Sequence, residues 1–354
     1  DRNVAIGLGA LVDQNFTTTT DSYNVAIGYQ AGHDITTGIQ NTLIGGLAGD
    51  VQTDADNNVA VGYLALSANV LGSRNVAIGT AVLDAMNPAT ATNMYNVGVG
   101  YASGSAVTTG VQNTMVGGLA SDAQTSADGC TSVGYASLTD NQTGDDNTAI
   151  GIFALANATG DDNTALGANA GDDITTGIRN IVIGTLADAG SSSAQERIAL
   201  GYDVNGNADS SFCFGSQGTD SAIAFGATTI TAPSDVRLKE DIEDEKIGLD
   251  FINDLRPVTF RWKKAKDVPS EMKVHDPHSE ERVMNGKYNH GFIAQEVKQV
   301  IDKYDLKDGF DMWTEDEVDG RQRIGEASLM PLMVKAVQEL SAKVEELESK
   351  LNGE

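Results

Sequence analysis

The chain has 354 residues, which is enough for about two domains, and a formal net charge of −27. Residues 1–233 hold 22 acidic residues against 4 arginines and no lysine, whereas the remainder holds 28 acidic and 19 basic residues. So acidic a surface repels phosphate backbones and anionic lipids, which disfavours nucleic acid and membrane surfaces as partners. Because no apolar run approaches the length of a membrane-spanning helix, we also predict no membrane insertion.

A short repeat, Asn-Val-Ala-Ile-Gly, organises the first part of the chain, and a longer repeat of 72 residues matches 36–42 to 108–114. Val25 and Ile27 alternate with Ala26, the period of a β-strand. One coil of about 17 residues cannot bury its own apolar face, so the coils are predicted to stack as a β-solenoid. The copies lie at residues 3–7, 24–28, 41–45, 58–62, 75–79, 96–100, 113–117, 147–151, 163–167 and 180–184, with degenerate copies at 130–134, 197–201, 211–215 and 222–226.

These repeats, over residues 1–226, resemble the head repeats of trimeric autotransporter adhesins and the related repeats of phage tail fibres. The resemblance implies a mainly β fold, a left-handed parallel β-roll packed as a homotrimer. A rigid fibre of this kind presents surfaces to a receptor. Since residues 1–7 already contain a repeat, we expect the chain to continue upstream, towards other virion or tail proteins.

Paired acidic residues recur at the turns between repeats. Such pairs are typical of calcium ligands or of catalytic carboxylates. Their recurrence at repeat turns favours solvated turn acids instead, so neither a metal nor another cofactor is predicted. The pairs are Asp145-Asp146, Asp161-Asp162 and Asp172-Asp173.

Four tyrosines follow the repeat glycine in the same register, at Tyr29, Tyr63, Tyr101 and Tyr135. An aromatic ladder of this kind is consistent with glycan binding. Packing within the solenoid explains the same register without a ligand and is the favoured interpretation. A glycan on the host cell surface stays an open alternative for the receptor.

The chain changes character at residues 233–239. Pro233 is the first proline since Pro88 and marks the end of the repeats. Ser234 stands five residues before Lys239, the first lysine of the chain. A serine hydroxyl needs a base, and a neutral lysine can serve as one. For an isolated Ser-x-x-x-x-Lys a cap or turn serine is the better interpretation, so the neighbouring motifs must decide.

The remainder resembles the C-terminal intramolecular chaperone domain of endosialidases, of many phage tail fibres and spikes, and of the myelin gene regulatory factor. The resemblance implies a small α+β domain that trimerises, guides folding of the upstream fibre and cuts itself off. Its motifs are 234–239, Leu255-Arg256-Pro257-Val258 with Phe260 and Trp262, His290 before 291–297, and 330–340.

Site residues follow from that resemblance. Ser234 is assigned as nucleophile, Lys239 as general base and Arg237 as a supporting cation, with His290 assisting or supporting the site structurally. The cut is expected between Pro233 and Ser234, with the bond between Ser234 and Asp235 as the alternative. The activity is therefore a single self-cleavage by a Ser-Lys peptidase, with none on external substrates. The predicted parts are the solenoid (1–226), a linker (227–233), the autopeptidase domain (234–325) and a terminal helix (326–354).

The terminal helix carries apolar residues at steps of three and four, from Met330 to Leu351. This spacing is typical of a coiled-coil seam of about three heptads. A lone helix folding back on its own domain is the alternative, but the trimeric solenoid favours a three-stranded coil.

We therefore predict the distal part of a phage tail fibre or spike used for host attachment, made in the host cytoplasm and carried on the virion. A bacterial trimeric adhesin is the first alternative; that class needs a C-terminal membrane β-barrel, whereas this chain ends in a charged helix. A fragment of a polysaccharide-depolymerising tailspike is the second, and its catalytic domain would lie upstream of Asp1.

Overall fold

The computed structural model describes residues 2–217, 219–306, 310–316 and 320–353. It divides into two compact units, residues 1–235 and residues 236–354, here called the solenoid unit and the C-terminal unit. Within the described residues no helix has the length and apolar character needed to cross a membrane.

The solenoid unit is one long sheet in which each coil contributes one short strand. Equivalent residues of successive repeats lie side by side, so Ala26 pairs with Leu43 and Leu43 with Ala60. This confirms the predicted mainly β fold with a parallel solenoid. The strands are Val4–Ile6, Val25–Ile27, Thr42–Ile44, Val59–Val61, Val76–Ile78, Val97–Val99, Thr114–Val116, Thr131–Val133, Thr148–Ile150, Thr164–Leu166, Ile181–Ile183, Ile198–Tyr202, Ser211–Ser216 and Ser221–Ala224, with a small parallel pair at Gly72–Ser73 and Thr92–Asn93.

In the three-residue strands from Val25–Ile27 onwards, the middle residue lies inside the coil and its two neighbours lie outside. Ala26 is fully buried, for example, while Val25 and Ile27 are only half-buried. The interior is narrow, which is why alanine is so frequent at the middle position. The larger apolar residues of the repeat therefore form columns on the outer face of the sheet.

A ladder of buried asparagines joins the coils. The side-chain oxygen of Asn24 accepts a hydrogen bond from the backbone N–H of Asn41 at 2.9 Å, and the Asn41 amide donates to the Ala55 carbonyl at 2.7 Å. Each asparagine thus satisfies backbone groups of two coils that would otherwise be buried without partners. This explains why the repeat begins with asparagine.

Cys130 occupies one rung of this ladder. Its thiol donates to the Gly144 carbonyl at 3.3 Å, and burial raises its pKa to about 11. A sulfur atom is a weaker hydrogen-bond partner than an amide oxygen. The equivalent rung 72 residues earlier is Asn58, which accepts from the Asn75 N–H at 2.9 Å and donates to the Gly72 carbonyl at 2.9 Å.

Cys130→Asn should therefore stabilise the solenoid, because an amide restores two full hydrogen bonds. We expect a gain of about 1 kcal/mol, or roughly 2–4 °C in the unfolding midpoint. Thermal unfolding followed by circular dichroism measures it. The reverse change at the equivalent rung, Asn58→Cys, should lower the midpoint by a similar amount. Equal midpoints for all three proteins would contradict the role given to the ladder.

The last repeat copy differs from the prediction. Ser221–Ala224 pairs antiparallel with Ser211–Ser216, so the degenerate copy at 222–226 is the return strand of a hairpin and not a further coil. The reason is the length of the connection, because a parallel crossover needs roughly a dozen residues or more. This hairpin closes the end of the parallel stack.

Among its described residues, the C-terminal unit contains three α-helices: α1 (Leu249–Asp254), α2 (Ala294–Lys303) and α3 (Met330–Asn352). Antiparallel strands pair Val258–Phe260 with Asn289–Gly291 and Trp313–Glu315 with Gln322–Ile324. Short 3₁₀ turns lie at Val236–Leu238, Ala265–Asp267 and Glu326–Leu329. The core of the unit consists of Phe251, Leu255, Val297, Ile301, Met312, Leu329 and Leu332.

Candidate active site

The segment that carries Ser234 follows the closing hairpin of the solenoid unit. Thr231 forms an antiparallel bridge with Ala222, exchanging backbone hydrogen bonds of 2.7 and 2.8 Å. The Thr231 hydroxyl also donates to the Ala222 carbonyl at 3.0 Å. Pro233 and Ser234 come directly after this anchor, so the chain upstream of the predicted cut is held to the folded solenoid.

The residues after Ser234 form a single 3₁₀ turn, Val236–Leu238, whose end is marked by a hydrogen bond from the Lys239 N–H to the Val236 carbonyl at 3.2 Å. Arg237 lies within this turn and Lys239 directly after it. Ser234 and Asp235 belong to the solenoid unit, and Arg237, Lys239 and His290 to the C-terminal unit. The boundary between the two units thus falls inside the predicted motif.

Every residue from 224 to 246 is exposed in the single chain, including Ser234 and Lys239. The exposed stretch contains large apolar side chains, with Val236 at 68% and Leu238 at 69% exposure. Val236 and Leu238 alternate with the charged residues Asp235, Arg237 and Lys239. The segment thus lacks burial in the described chain.

The chemistry assigned to Ser234 depends on that burial. A lysine acts as a base only in its neutral form, which burial or neighbouring cations favour. Arg237 supplies a cation two positions away in the sequence, but Lys239 itself is exposed. A single chain therefore provides the residues of a Ser-Lys site without the water-free surroundings that such a site requires.

His290 lies in the strand Asn289–Gly291, opposite Thr259 of the neighbouring strand, and its side chain is exposed. The strand is followed by Ile293 and the start of α2. The predicted role of His290 in the site stays a prediction.

The turn acids of the solenoid serve as coil-to-coil hydrogen-bond acceptors. The Asp145 carboxylate accepts from the Asp128 N–H at 2.8 Å, and the Asp161 carboxylate from the Asp145 N–H at 3.0 Å. Asp56 and Asp128 bond to Ile39 and Val111 in the same way. The carboxylates are thus parts of the repeat, which agrees with the interpretation as turn acids.

In the described part of the chain, two groups of side chains with possible metal-ligand atoms come close together, Asp13–His33–Asp34 and Asp172–Asp173–Asp188. Burial is the main cause that raises the pKa of Asp188 to about 6. Its carboxylate accepts hydrogen bonds from the N–H groups of Asp173 at 2.9 Å and Gly190 at 3.2 Å. The Asp188 carboxylate therefore bonds to the backbone of its own turn and to that of the preceding coil.

The four tyrosines of the repeat register lie on the surface, with exposures from 50% to 64%. They are not core residues, so packing inside a single solenoid does not explain them. Glycines at positions 46 and 118 separate them along the column and lie against the rings of Tyr63 and Tyr135. The column is thus an exposed surface of one copy.

Residues 234–306 match a family model described as the chaperone of endosialidase. The matched region begins at Ser234, so it contains the whole predicted dyad and ends just after α2. This family is one of intramolecular chaperone domains that cut themselves free. Over these residues the chain is thus similar to an intramolecular chaperone domain, which follows a parallel β-solenoid in the sequence. No curated protein and no solved structure matches the chain.

The sequence predicts the residues of the motif but not the conformation around them, and the roles of these residues stay predictions. The exposed apolar pair Val236 and Leu238 was visible in the sequence and carried no prediction. Val236 and Leu238 lie inside the predicted catalytic segment, on either side of Arg237, and the sequence carries no signal that both are exposed.

Proposed function

We propose that the chain is the distal part of a viral tail fibre or spike, whose C-terminal domain brings three copies together, assists their folding and is then cut off beside Ser234. The family match that begins at Ser234 carries this proposal, because it places a chaperone domain directly after the end of a solenoid. Three separate solenoids would have to find their common register through non-local contacts, which is slow. A domain that aligns the copies first removes that difficulty.

The outer face of the sheet supports a homotrimer. Ile78, Ile150, Leu166 and Leu200 occupy equivalent positions in their coils, and each is at least 38% exposed. A column of large apolar side chains along a fibre is a surface that another chain normally covers. Three copies around a common axis would cover it, as in the trimers of left-handed β-rolls that the resemblance of the repeats implies.

The cut follows from the residues of the segment. Lys239 takes the proton of the Ser234 hydroxyl, and the oxygen attacks the carbonyl carbon of Pro233. The bond from that carbon to the Ser234 nitrogen breaks, and the nitrogen receives the proton. Water then hydrolyses the resulting ester, which leaves a carboxylate on Pro233 and a free amine on Ser234. A cut after Ser234 is the alternative and would leave a fragment that begins with Asp235.

Cleavage is expected to wait for assembly. Ser234 and Lys239 are exposed in one copy, together with the apolar side chains of Val236 and Leu238. Packing against the other copies would remove water from the segment and favour the neutral lysine. Release of the chaperone domain then makes the assembled fibre slow to unfold and dissociate, because hydrolysis does not reverse in practice.

The released fibre would serve in host attachment. Its acidic surface is unsuited to nucleic acid, and its exposed tyrosine column offers aromatic faces to a receptor on the host cell, a glycan among the candidates. The protein would be made in the host cytoplasm and carried on the virion.

Assembly and cleavage can be measured on the same sample. Purified wild-type chain should give two fragments on a denaturing gel and the mass of three copies by light scattering under native conditions. Mass spectrometry should find a new end at Pro233. When the freshly folded chain is diluted, the initial cleavage rate should fall by more than the dilution factor. A monomeric chain, or an assembled chain that stays whole for days, would overturn the proposal.

A further inference from the structure

Helix α3 has two apolar faces, and its own unit covers only one of them. Leu332 and Ala336 are buried, and the Glu339 carboxylate accepts a hydrogen bond from the Leu249 N–H of α1 at 2.9 Å. The heptad seam lies elsewhere on the helix and is exposed by 46% to 87% along its whole length. The seam consists of Met330, Met333, Val337, Leu340, Val344, Leu347 and Leu351.

The second half of α3 depends on a partner even more than the first. All residues from 340 to 353 are exposed, so this part of the helix packs against nothing within the described part of its unit. A lone helix of fewer than about 12–15 residues is only marginally stable in water. Its exposed apolar seam therefore requires another helix along this face.

The charges beside the seam identify that helix. With Val337 and Val344 at a and Leu340 and Leu347 at d, Lys343 falls at g and Glu348 at e of the next heptad. In a parallel, in-register coil the g residue of one helix faces the following e residue of its neighbour. Lys343 then meets a glutamate of the next copy, so α3 is complementary to itself.

An antiparallel coil lacks this complementarity. There g positions face g positions, and α3 has only Ala336, Lys343 and Lys350 at g. Lys343 would then meet a lysine. Among the described residues, Lys350 is already paired with Glu346 of its own helix, whereas Lys343 and Glu348 form no ion pair within the chain. The pair of opposite charges is thus available to a second copy.

We propose that α3 binds α3 of further copies in parallel and in register, with Lys343 of one copy paired to Glu348 of the next. This rests on the proposed assembly of several copies and adds its direction and register. Parallel, in-register pairing places the same residue of every copy at the same height. Three solenoids that start from such a coil start in register.

Charge reversal tests the direction. In a Ser234→Ala chain, which keeps the C-terminal unit attached, Lys343→Glu and Glu348→Lys should each raise the concentration at which half of the chains assemble, by up to about tenfold for three pairs. Analytical ultracentrifugation at low salt measures this midpoint. The double variant Lys343→Glu/Glu348→Lys, and an equal mixture of the two single variants, should assemble like the parent.

Glu345→Lys is the matched control, because it makes the same charge change at an exposed position away from the seam. A Leu347→Cys chain adds an independent readout, since parallel, in-register helices bring equal d positions together and should form a disulfide under oxidation. Tighter assembly of Lys343→Glu, or no disulfide, would overturn the parallel arrangement. Normal trimers with unaffected midpoints in the variants, beside normal cleavage of the wild-type chain, would reject only the Lys343–Glu348 pairing and leave the proposed function intact.

Discussion

A chain with Ser234→Ala is expected to stay at full length under conditions in which the wild type is cut completely. The change removes the hydroxyl that attacks the peptide bond, and alanine can replace an exposed serine without disturbing packing. The loss should be total on a denaturing gel, because a peptide bond without a nucleophile beside it is stable for years. Light scattering should still find three copies, now with their chaperone domains attached.

The base can be tested separately. Lys239→Ala and Lys239→Arg should both abolish the cut, since an arginine stays protonated and cannot accept the proton. If the site required only a positive charge at position 239, the Lys239→Arg chain would still be cut. Ser270→Ala and Lys273→Ala, two substitutions outside the motif, should cleave like the wild type. If the Ser234→Ala chain were cleaved at an unchanged rate, Ser234 could not be the nucleophile.

The second large effect is expected in the solenoid, at the glycine that ends each strand. Gly45 has a φ of +137°, and a Cβ atom there would lie 2.4 Å from the carbonyl oxygen of Gly62 in the next coil. The backbone of the next coil cannot yield without breaking the stack. Gly45→Ala should therefore cost about 3 kcal/mol or more and lower the unfolding midpoint by roughly 10 °C.

The neighbouring residue provides the control. Gly46 has no positive φ in the restricted range, and a Cβ atom there would come only within 3.6 Å of the Tyr63 ring. Gly46→Ala should unfold within about 2 °C of the parent, because that distance is ordinary van der Waals contact. Apparent midpoints should be compared at one scan rate and one protein concentration. Equal losses for the two alanine variants would contradict the close approach of coils at Gly45.

The number of copies raises a separate point about α3. Valine at a with leucine at d, as in Val337, Leu340, Val344 and Leu347, favours two-stranded coils when nothing else decides. The trimer that we propose must therefore be set mainly by the solenoid and the chaperone domain. The helix contributes direction and register. This division explains how a seam of this composition can serve a three-chain fibre.

Much of the fold can be predicted from local patterns in the sequence. The alternation around Ala26 predicts its strand, the repeat predicts the parallel register, and the apolar steps from Met330 to Leu351 predict a terminal helix, which the structure has at Met330–Asn352. These predictions succeed because period and turn chemistry act over a few residues and recur in every coil. Ser234 and Lys239 could be selected for the same reason, since a short motif and its neighbours carry the resemblance.

Other features depend on contacts between coils and are absent from any local pattern. Leu47 and Leu64 adopt left-handed backbone conformations with φ of 57° and 59°, which costs leucine roughly 1–2 kcal/mol each. Hydrogen bonds to the preceding coil compensate, such as the one from the Leu47 N–H to the Tyr29 carbonyl at 2.8 Å. No rule based on residue preference assigns leucine to that conformation.

The sequence by itself thus determined the repeating strand, the parallel stack and the terminal helix, because each follows from spacing along the chain. The residues of the cleavage motif stay predictions. Only the tertiary structure decided that the copy at 222–226 turns back, that residues 224–246 are exposed, and that the seam of α3 is uncovered. These three depend on which surfaces remain after the chain has packed against itself. Burial is a property of the whole molecule, and spacing along the chain cannot supply it.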